Sequence, residues 1–152
     1  MRILVFSDSH SDVDSCIDVI ERIKGVDMVL HAGDCLRDAL TLERAYPDMD
    51  IRCVAGNCDF GIDDKELIIE TEGKRIFLTH GDLYGVKTGY SRISYKAEEI
   101  GADIAVFGHS HIPLCEEYGS VMLLNPGSIR YSRTYGVIEI EDGELRACVI
   151  DL

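Results

Sequence analysis

Apolar residues in this chain fall into short runs parted by polar loops, and the spacing inside each run predicts its element. Residues 2 to 6, Arg-Ile-Leu-Val-Phe, suit a short buried strand. After a polar loop at 7 to 12, Val13, Ile17, Ile20 and Ile23 recur at helical spacing with Cys16 on the same face. Asp12 is placed to cap that helix and Gly25 to end it. Residues 28 to 31 form a second strand, 36 to 46 a helix stopping before Pro47, and 51 to 55 a third strand. Strand, helix, strand, helix, strand implies a parallel sheet with right-handed crossovers. The style then changes. Residues 65 to 71 and 75 to 80 flank the turn sequence TEGK as a hairpin, and a helix near 88 to 100 shows Ile93, Ala97 and Ile100 on one face. A strand at 104 to 107 follows. Two further hairpins are expected, 114–118 with 121–124 around Gly119, and 135–141 with 144–150 around Asp142-Gly143. With no repeat or linker in between, the chain reads as one domain over 1–152, of α/β class in the four-layer α+β form: two packed mixed β-sheets flanked by helices.

The chemistry gathers where the strands stop. Asp8-Ser9-His10 follows the first strand, and the second runs into His31-Ala32-Gly33-Asp34. Gly56-Asn57-Cys58-Asp59 follows the third, His80-Gly81-Asp82 the hairpin, and Gly108-His109-Ser110-His111 the strand at 104. In open α/β sheets ligands bind beyond the carboxyl ends of strands, so these loops can converge on one crevice. Taken singly, a Gly-Asp or Gly-Asn pair is ordinary turn chemistry, and one histidine at a strand end is an ordinary structural residue. The conjunction carries the signal, because all five histidines of the chain lie in these loops beside Asp, Asn and Gly. His109 and His111 share a face if extended, but in a loop each ring is aimed independently. The pair therefore serves either one chelated metal or two metals, one ring each.

Composition narrows the partners. The 152 residues carry a net charge of −13, with 28 acidic against 15 basic side chains and no basic stripe, which argues against duplex nucleic acid. A small phosphate ester stays compatible, since bound cations dominate a local field. No apolar stretch approaches the ~20 residues that span a bilayer, so no membrane partner is expected. The run at 3 to 6 is too short for a signal-peptide core, and a cytoplasmic location is expected. Six cysteines do not form a disulfide framework in such a chain. Cys16, Cys53 and Cys148 sit in apolar patterns as small core residues, while Cys35 and Cys58 each directly follow a candidate ligand. Apolar positions on the tail strands leave a homo-oligomer open.

The five clusters, in this order, resemble the calcineurin-like metallophosphoesterases: D-x-H at Asp8 and His10, G-D at Asp34, G-N at Asn57, the lone His80, and G-H-x-H at His109 and His111. The likeness covers residues 5 to 128 and is nearest to the small YfcE-type phosphodiesterases, which share the compact length, the GNCD variant and a late NPGS, here at 125 to 128. The resemblance implies the metallophosphoesterase fold and two divalent metals. Asp8, His10 and His111 would hold the first, Asn57, His80 and His109 the second, and Asp34 would bridge them. It further implies hydrolysis of small phosphodiesters through a metal-bridging hydroxide, with manganese the first expectation and Ni, Zn, Fe or Co also compatible with mixed N/O ligands. A phosphomonoesterase of the same superfamily is the nearest alternative. The other is a retromer-subunit-like scaffold that acts through protein contacts, but such scaffolds have lost key histidines, and here all seven positions carry a coordinating residue.

One departure stands out. Many relatives carry a histidine after the Asn ligand, thought to protonate the leaving group, whereas this chain has Cys58. A thiol with an unperturbed pKa of about 8.5 is a poorer acid, and the competing reading is a small side chain lining the site. Activated aryl diesters are then expected to be cleaved well and alkyl phosphates poorly. His31 is left unassigned to a metal, and either braces a ligand or meets the substrate phosphate. Asp59 and Asp82 are expected to brace their loops. Arg130 and Arg133, beyond NPGS, either meet a substrate anion or are solvated.

Overall fold

The structure is a computed structural model that describes residues 1–60 and 64–152. Two five-stranded mixed sheets make up its centre. In the first, β1 (Arg2–Phe6), β2 (Met28–His31) and β3 (Asp50–Cys53) run parallel, with β9 (Thr134–Glu141) antiparallel to β1 and β10 (Glu144–Asp151) at the edge. In the second, β5 (Lys74–Thr79), β6 (Ile104–Val106) and β8 (Val121–Asn125) are parallel neighbours, flanked by β4 (Glu66–Thr71) and β7 (Leu114–Tyr118). Register places the site. Phe6 pairs with His31 and His31 with Cys53, so three strands of one sheet end level. Leu78 pairs with Val106 and Val106 with Leu124 in the other. The loops leaving these ends start from one edge of each sheet.

Strand alternation sorts the core. Ile3 and Val5 face the second sheet and pack among Leu30, Leu78, Val106, Leu124 and Ile138. Leu4 and Phe6 point the other way, onto Cys16, Val19 and Ile20 of α1 (Val13–Arg22) and Leu42 of α2 (Leu36–Ala45). On the far side, Phe77, Ala105 and Phe107 receive Ile93 and Ala97 of α3 (Ser91–Glu99). Helices, sheet, sheet, helix is the four-layer order expected from the pattern.

The boundaries differ where local chemistry outweighs periodicity. Asp12 caps α1 as expected, its carboxylate accepting from the Ser15 amide and hydroxyl. The helix ends at Arg22, and Gly25 turns left-handed after the chain has already left it at an extended Ile23. α3 starts at Ser91 instead of 88, behind Gly89, whose φ of 157° is off the helical path. β3 stops at Cys53 because the Ala55 amide turns to the Asp64 carbonyl. A single 3-10 turn at Asp82–Tyr84, which the apolar pattern does not predict, carries the chain on from His80.

Ile138 is fully buried on β9 between the sheets. Ile138→Ala is expected to cost about 3 kcal/mol of stability, read as a lower urea midpoint with an unchanged slope.

Candidate metal centre

The strand-end loops are tied to one another before any ligand is considered. The Asp8 amide donates to the Gly33 carbonyl at 2.9 Å and the His10 amide to the Asp34 carbonyl at 3.3 Å, which joins the β1 and β2 loops. The Gly108 amide donates to the His80 carbonyl at 3.0 Å, which joins the β5 and β6 loops. Across the two sheets, the His109 amide donates to Asp8 Oδ2 at 3.0 Å. Two glycines are dictated by this closeness. A Cβ on Gly108 would sit 1.8 Å from Ser7 Oγ, and one on Gly56 2.1 Å from Asp34 Oδ1. The backbone is also strained: Asp8, His10, Asp34, His109 and His111 all have φ between 43° and 66°, the left-handed region that costs a side-chain-bearing residue of order 1 kcal/mol or more. Non-glycine residues held there in such number mark a segment whose side-chain aim outweighs its backbone preference.

Two donor sets result. In the first, the ligating atoms of Asp8, His10 and His111 lie within 4.8 Å of one another. Asp8 is fully buried, and its Oδ2 accepts from the Ser7 hydroxyl and the His109 amide. That leaves Oδ1, 3.1 Å from His111 Nε2 and 3.9 Å from His10 Nε2. His10 Nε2 is buried with no hydrogen-bond partner among the described residues. In the second set, Asp34, His80 and His109 meet the same 4.8 Å limit. His80 fixes its chemistry. Its Nδ1 must donate to the Ala32 carbonyl at 2.7 Å, so in the neutral ring Nε2 holds a lone pair. That lone pair faces Asn57 Oδ1 at 3.0 Å, His109 Nδ1 at 3.2 Å and Asp34 Oδ2 at 3.4 Å. Acceptor atoms of Asn57 and Asp34 thus face the His80 lone pair, with His109 Nδ1 beside them, and the point they surround calls for positive charge. His80 shows the same demand: burial opposes its proton, but the Asp34 and Asp8 carboxylates outweigh burial and push its pKa up. Burial alone would raise Asp34, yet His80 and the Cys58 amide hold its carboxyl well below the usual carboxylate range. Burial and the neighbouring His80 push His109 down.

The His109 and His111 rings enter different sets. Asp34 groups with the second set, while its peptide carbonyl holds the loop of the first. Asn57 is exposed, its oxygen toward His80 and its amide nitrogen toward Cys58 Sγ at 3.4 Å. Cys58 is exposed too, and burial of its sulfur edge with the nearby Asp34 raises its pKa, so the thiol keeps its proton at neutral pH. His31 stands apart from the two donor sets. It is fully buried, its Nδ1 accepts from the Gly33 amide at 3.2 Å, and its Nε2 therefore donates to Ser9 Oγ at 3.0 Å. Burial keeps it neutral, and with both nitrogens committed it has no face for a substrate phosphate: it braces the D-x-H and G-D loops.

Arg130 donates from Nη1 to the His10 carbonyl beside the first set. Arg133 instead sits at the start of α1, 3.5 Å from Asp12 and 3.3 Å from Ser15 Oγ. Cys35 stands at the N-cap of α2 without a capping bond. Three further residues reach this neighbourhood. Ser128 Oγ donates to the Asp8 carbonyl, Asn125 Nδ2 to the Gly108 carbonyl at 2.9 Å, and Tyr131 stacks on His111. The NPGS motif was a pointer to the first two, whereas an exposed loop tyrosine has no periodic signature.

The sequence profile of the calcineurin-like phosphoesterase superfamily domain matches residues 1–143. The chain belongs to this superfamily. The probable metallophosphoesterase YsnB of Bacillus subtilis is 37% identical over 150 residues, which cover 93% of this chain and 86% of YsnB. Phosphodiesterase YfcE of Escherichia coli K12 is 27% identical over 172 residues, covering 91% of this chain and 88% of YfcE. Among solved structures, a predicted phosphoesterase of Streptococcus pneumoniae TIGR4 superposes with a TM-score of 0.83 at 33% identity, covering 99% of this chain and 88% of that one. A Vps29 variant of Entamoeba histolytica shares the fold at a TM-score of 0.78 and 20% identity, over 100% of this chain and 99% of that one. The fold expected from the motifs is the fold observed.

Asp59 holds two metallophosphoesterase loops together: its carboxylate accepts from the amides of Asp34 at 3.0 Å, Leu36 at 2.8 Å and Gly56 at 2.9 Å. Asp59→Ala is expected to cost about 2–3 kcal/mol by urea unfolding, and to speed hydrogen exchange at those three amides selectively.

Proposed function

We propose that this protein is a two-metal-ion phosphodiesterase acting on small phosphodiesters. Asp8, His10 and His111 would hold one divalent cation, Asn57, His80 and His109 the other, with Asp34 shared. The single observation that carries the proposal is the convergence of lone pairs around His80 Nε2, with the partnerless His10 Nε2 as its counterpart in the first set. Four imidazoles, two carboxylates and one amide oxygen fit a borderline transition metal better than Mg or Ca, and manganese is the proposed ion. A divalent pair supplies Lewis acidity to a phosphoryl group and a nucleophile from water near neutral pH.

The chain's own groups are set for that task. The Ala32 carbonyl orients the His80 ring and fixes its tautomer, while Ser7 and the His109 amide occupy one oxygen of Asp8 and leave the other free to ligate. Asp34 stays ionised at any working pH. Asn57 adds an oxygen without adding charge. Cys58, next to Asn57, offers the leaving group a proton, but its raised pKa makes it a reluctant donor. YfcE, a phosphodiesterase by name, supports the choice of diesters.

The test is hydrolysis of bis(p-nitrophenyl) phosphate. Manganese is expected to activate and a chelator to abolish turnover, with two ions per chain by elemental analysis. His80→Ala is expected to lower kcat/KM by about 100-fold or more and to reduce bound metal. A folded protein inactive with Mn, Ni, Zn, Fe and Co alike would sink the proposal, and p-nitrophenyl phosphate run alongside separates diester from monoester preference. The acid argument has its own check. Cys58→His is expected to raise kcat for an alkyl diester by roughly 100-fold while changing the nitrophenyl diester little, because a good leaving group does not wait for a proton.

A further inference from the structure

The loop between β8 and β9 carries none of the seven proposed ligands, yet it is clamped to those that do. Ser128 Oγ donates to the Asp8 carbonyl and Asn125 Nδ2 to the Gly108 carbonyl. Within the loop, the Ser132 and Arg133 amides both donate to the Ser128 carbonyl at 3.0 Å, and Thr134 Oγ1 closes onto the Pro126 carbonyl at 2.7 Å. A segment tied this firmly is built to present something, and at its tip stand Arg130 and Tyr131.

The Tyr131 ring lies nearly parallel to His111, at 20° with centroids 5.4 Å apart, and 5.3 Å from His10. It nevertheless remains 60% exposed. A flat ring fixed against two ligands of the first set, with much of its surface in water, is a preformed stacking surface that loses little entropy on binding. Arg130 is exposed, its guanidinium 5.7 Å from the Tyr131 ring centre, with one nitrogen on the His10 carbonyl and further N–H groups to offer an anion. Phe60 and Ile112, on the loops after Asp59 and His111, are 93% and 61% exposed. A methyl ester would leave the exposed Tyr131 face wet.

We infer that Arg130 and Tyr131 form a substrate platform beside the Asp8–His10–His111 set, Tyr131 receiving a planar aromatic substituent of the phosphodiester and Arg130 gripping its anionic phosphate. The inference rests on the phosphoester reading above and names the substrate class within it: diesters bearing an aryl or nucleobase-like group. Two symmetrical probes of equal charge, diphenyl phosphate and dimethyl phosphate, test it by calorimetric binding to the manganese-supplemented protein. The wild type is expected to prefer the diphenyl ester by about fivefold or more. Tyr131→Phe should keep that ratio, and Tyr131→Leu, similar in apolar bulk but without a ring, should lose it. Arg130→Gln should weaken both esters by about tenfold and leave the ratio standing. Altered metal loading scales both probes and cancels in the ratio. A wild-type ratio near one, a Leu variant that keeps the preference, an Arg130 variant that binds both as before, or no binding of either ester would each overturn the platform. No turnover is read, so a protein that fails to hydrolyse nitrophenyl esters yet shows these ratios would refute the phosphodiesterase and leave the platform.

Discussion

The structure turns on crowding polar atoms from distant parts of the chain into one place. His80 Nε2 lies 3.0 to 3.4 Å from atoms of Asn57, His109 and Asp34, and Asp8 Oδ1 lies 3.1 Å from His111 and 3.9 Å from His10. In water these side chains would be free to separate. Here each is pinned from behind: His80 by the Ala32 carbonyl, Asp8 by Ser7 and the His109 amide, Asp34 by the Cys58 amide. The left-handed backbone at five of these residues is a further cost of the same arrangement. Such strain persists only where the surroundings over-determine it, and the surroundings are the level ends of six parallel-paired strands.

Those strand ends explain why residues far apart in sequence can be aimed so closely. Register brings Phe6, His31 and Cys53 to one line and Leu78, Val106 and Leu124 to another, and sheet-to-sheet packing around Val5, Leu30 and Leu78 sets the two lines facing. The loops then need few residues to reach the centre. His31 and Asp59 complete the frame from within, one joining the β1 and β2 loops and the other the β2 and β3 loops. Neither requires access to a substrate, and His31 has none.

Much of this was legible in the sequence because it is periodic or clustered. Alternation and helical spacing marked every strand and helix to within a few residues, and the polar clusters at strand ends marked the site. What was illegible depended on long-range contact. The sequence leaves His31 open between a brace and a phosphate contact, and only its burial and its bonds to Ser9 and Gly33 separate the two. Tyr131 reads like any loop aromatic until its ring is found against His111. The start of α3 was misread for a different reason: Ile93, Ala97 and Ile100 fix the buried face of a helix, whereas its first turn is decided by backbone freedom at Gly89.

Charge ties the site to the rest of the chain. A protein of net charge −13 repels a phosphodiester at long range, so attraction has to be made locally. The donor set contributes only two negative charges, those of Asp8 and Asp34, because imidazoles and the Asn57 amide ligate as neutral groups. Two divalent cations held there would leave positive charge in excess, facing outward at a mouth where Arg130 adds one more. Replacing Asn57 by a carboxylate, or Arg130 by a neutral side chain, would erode that surplus. With the proposed cations in place, the acidic surface would then work as a filter: a small anion would gain by approaching the mouth and lose by approaching anywhere else.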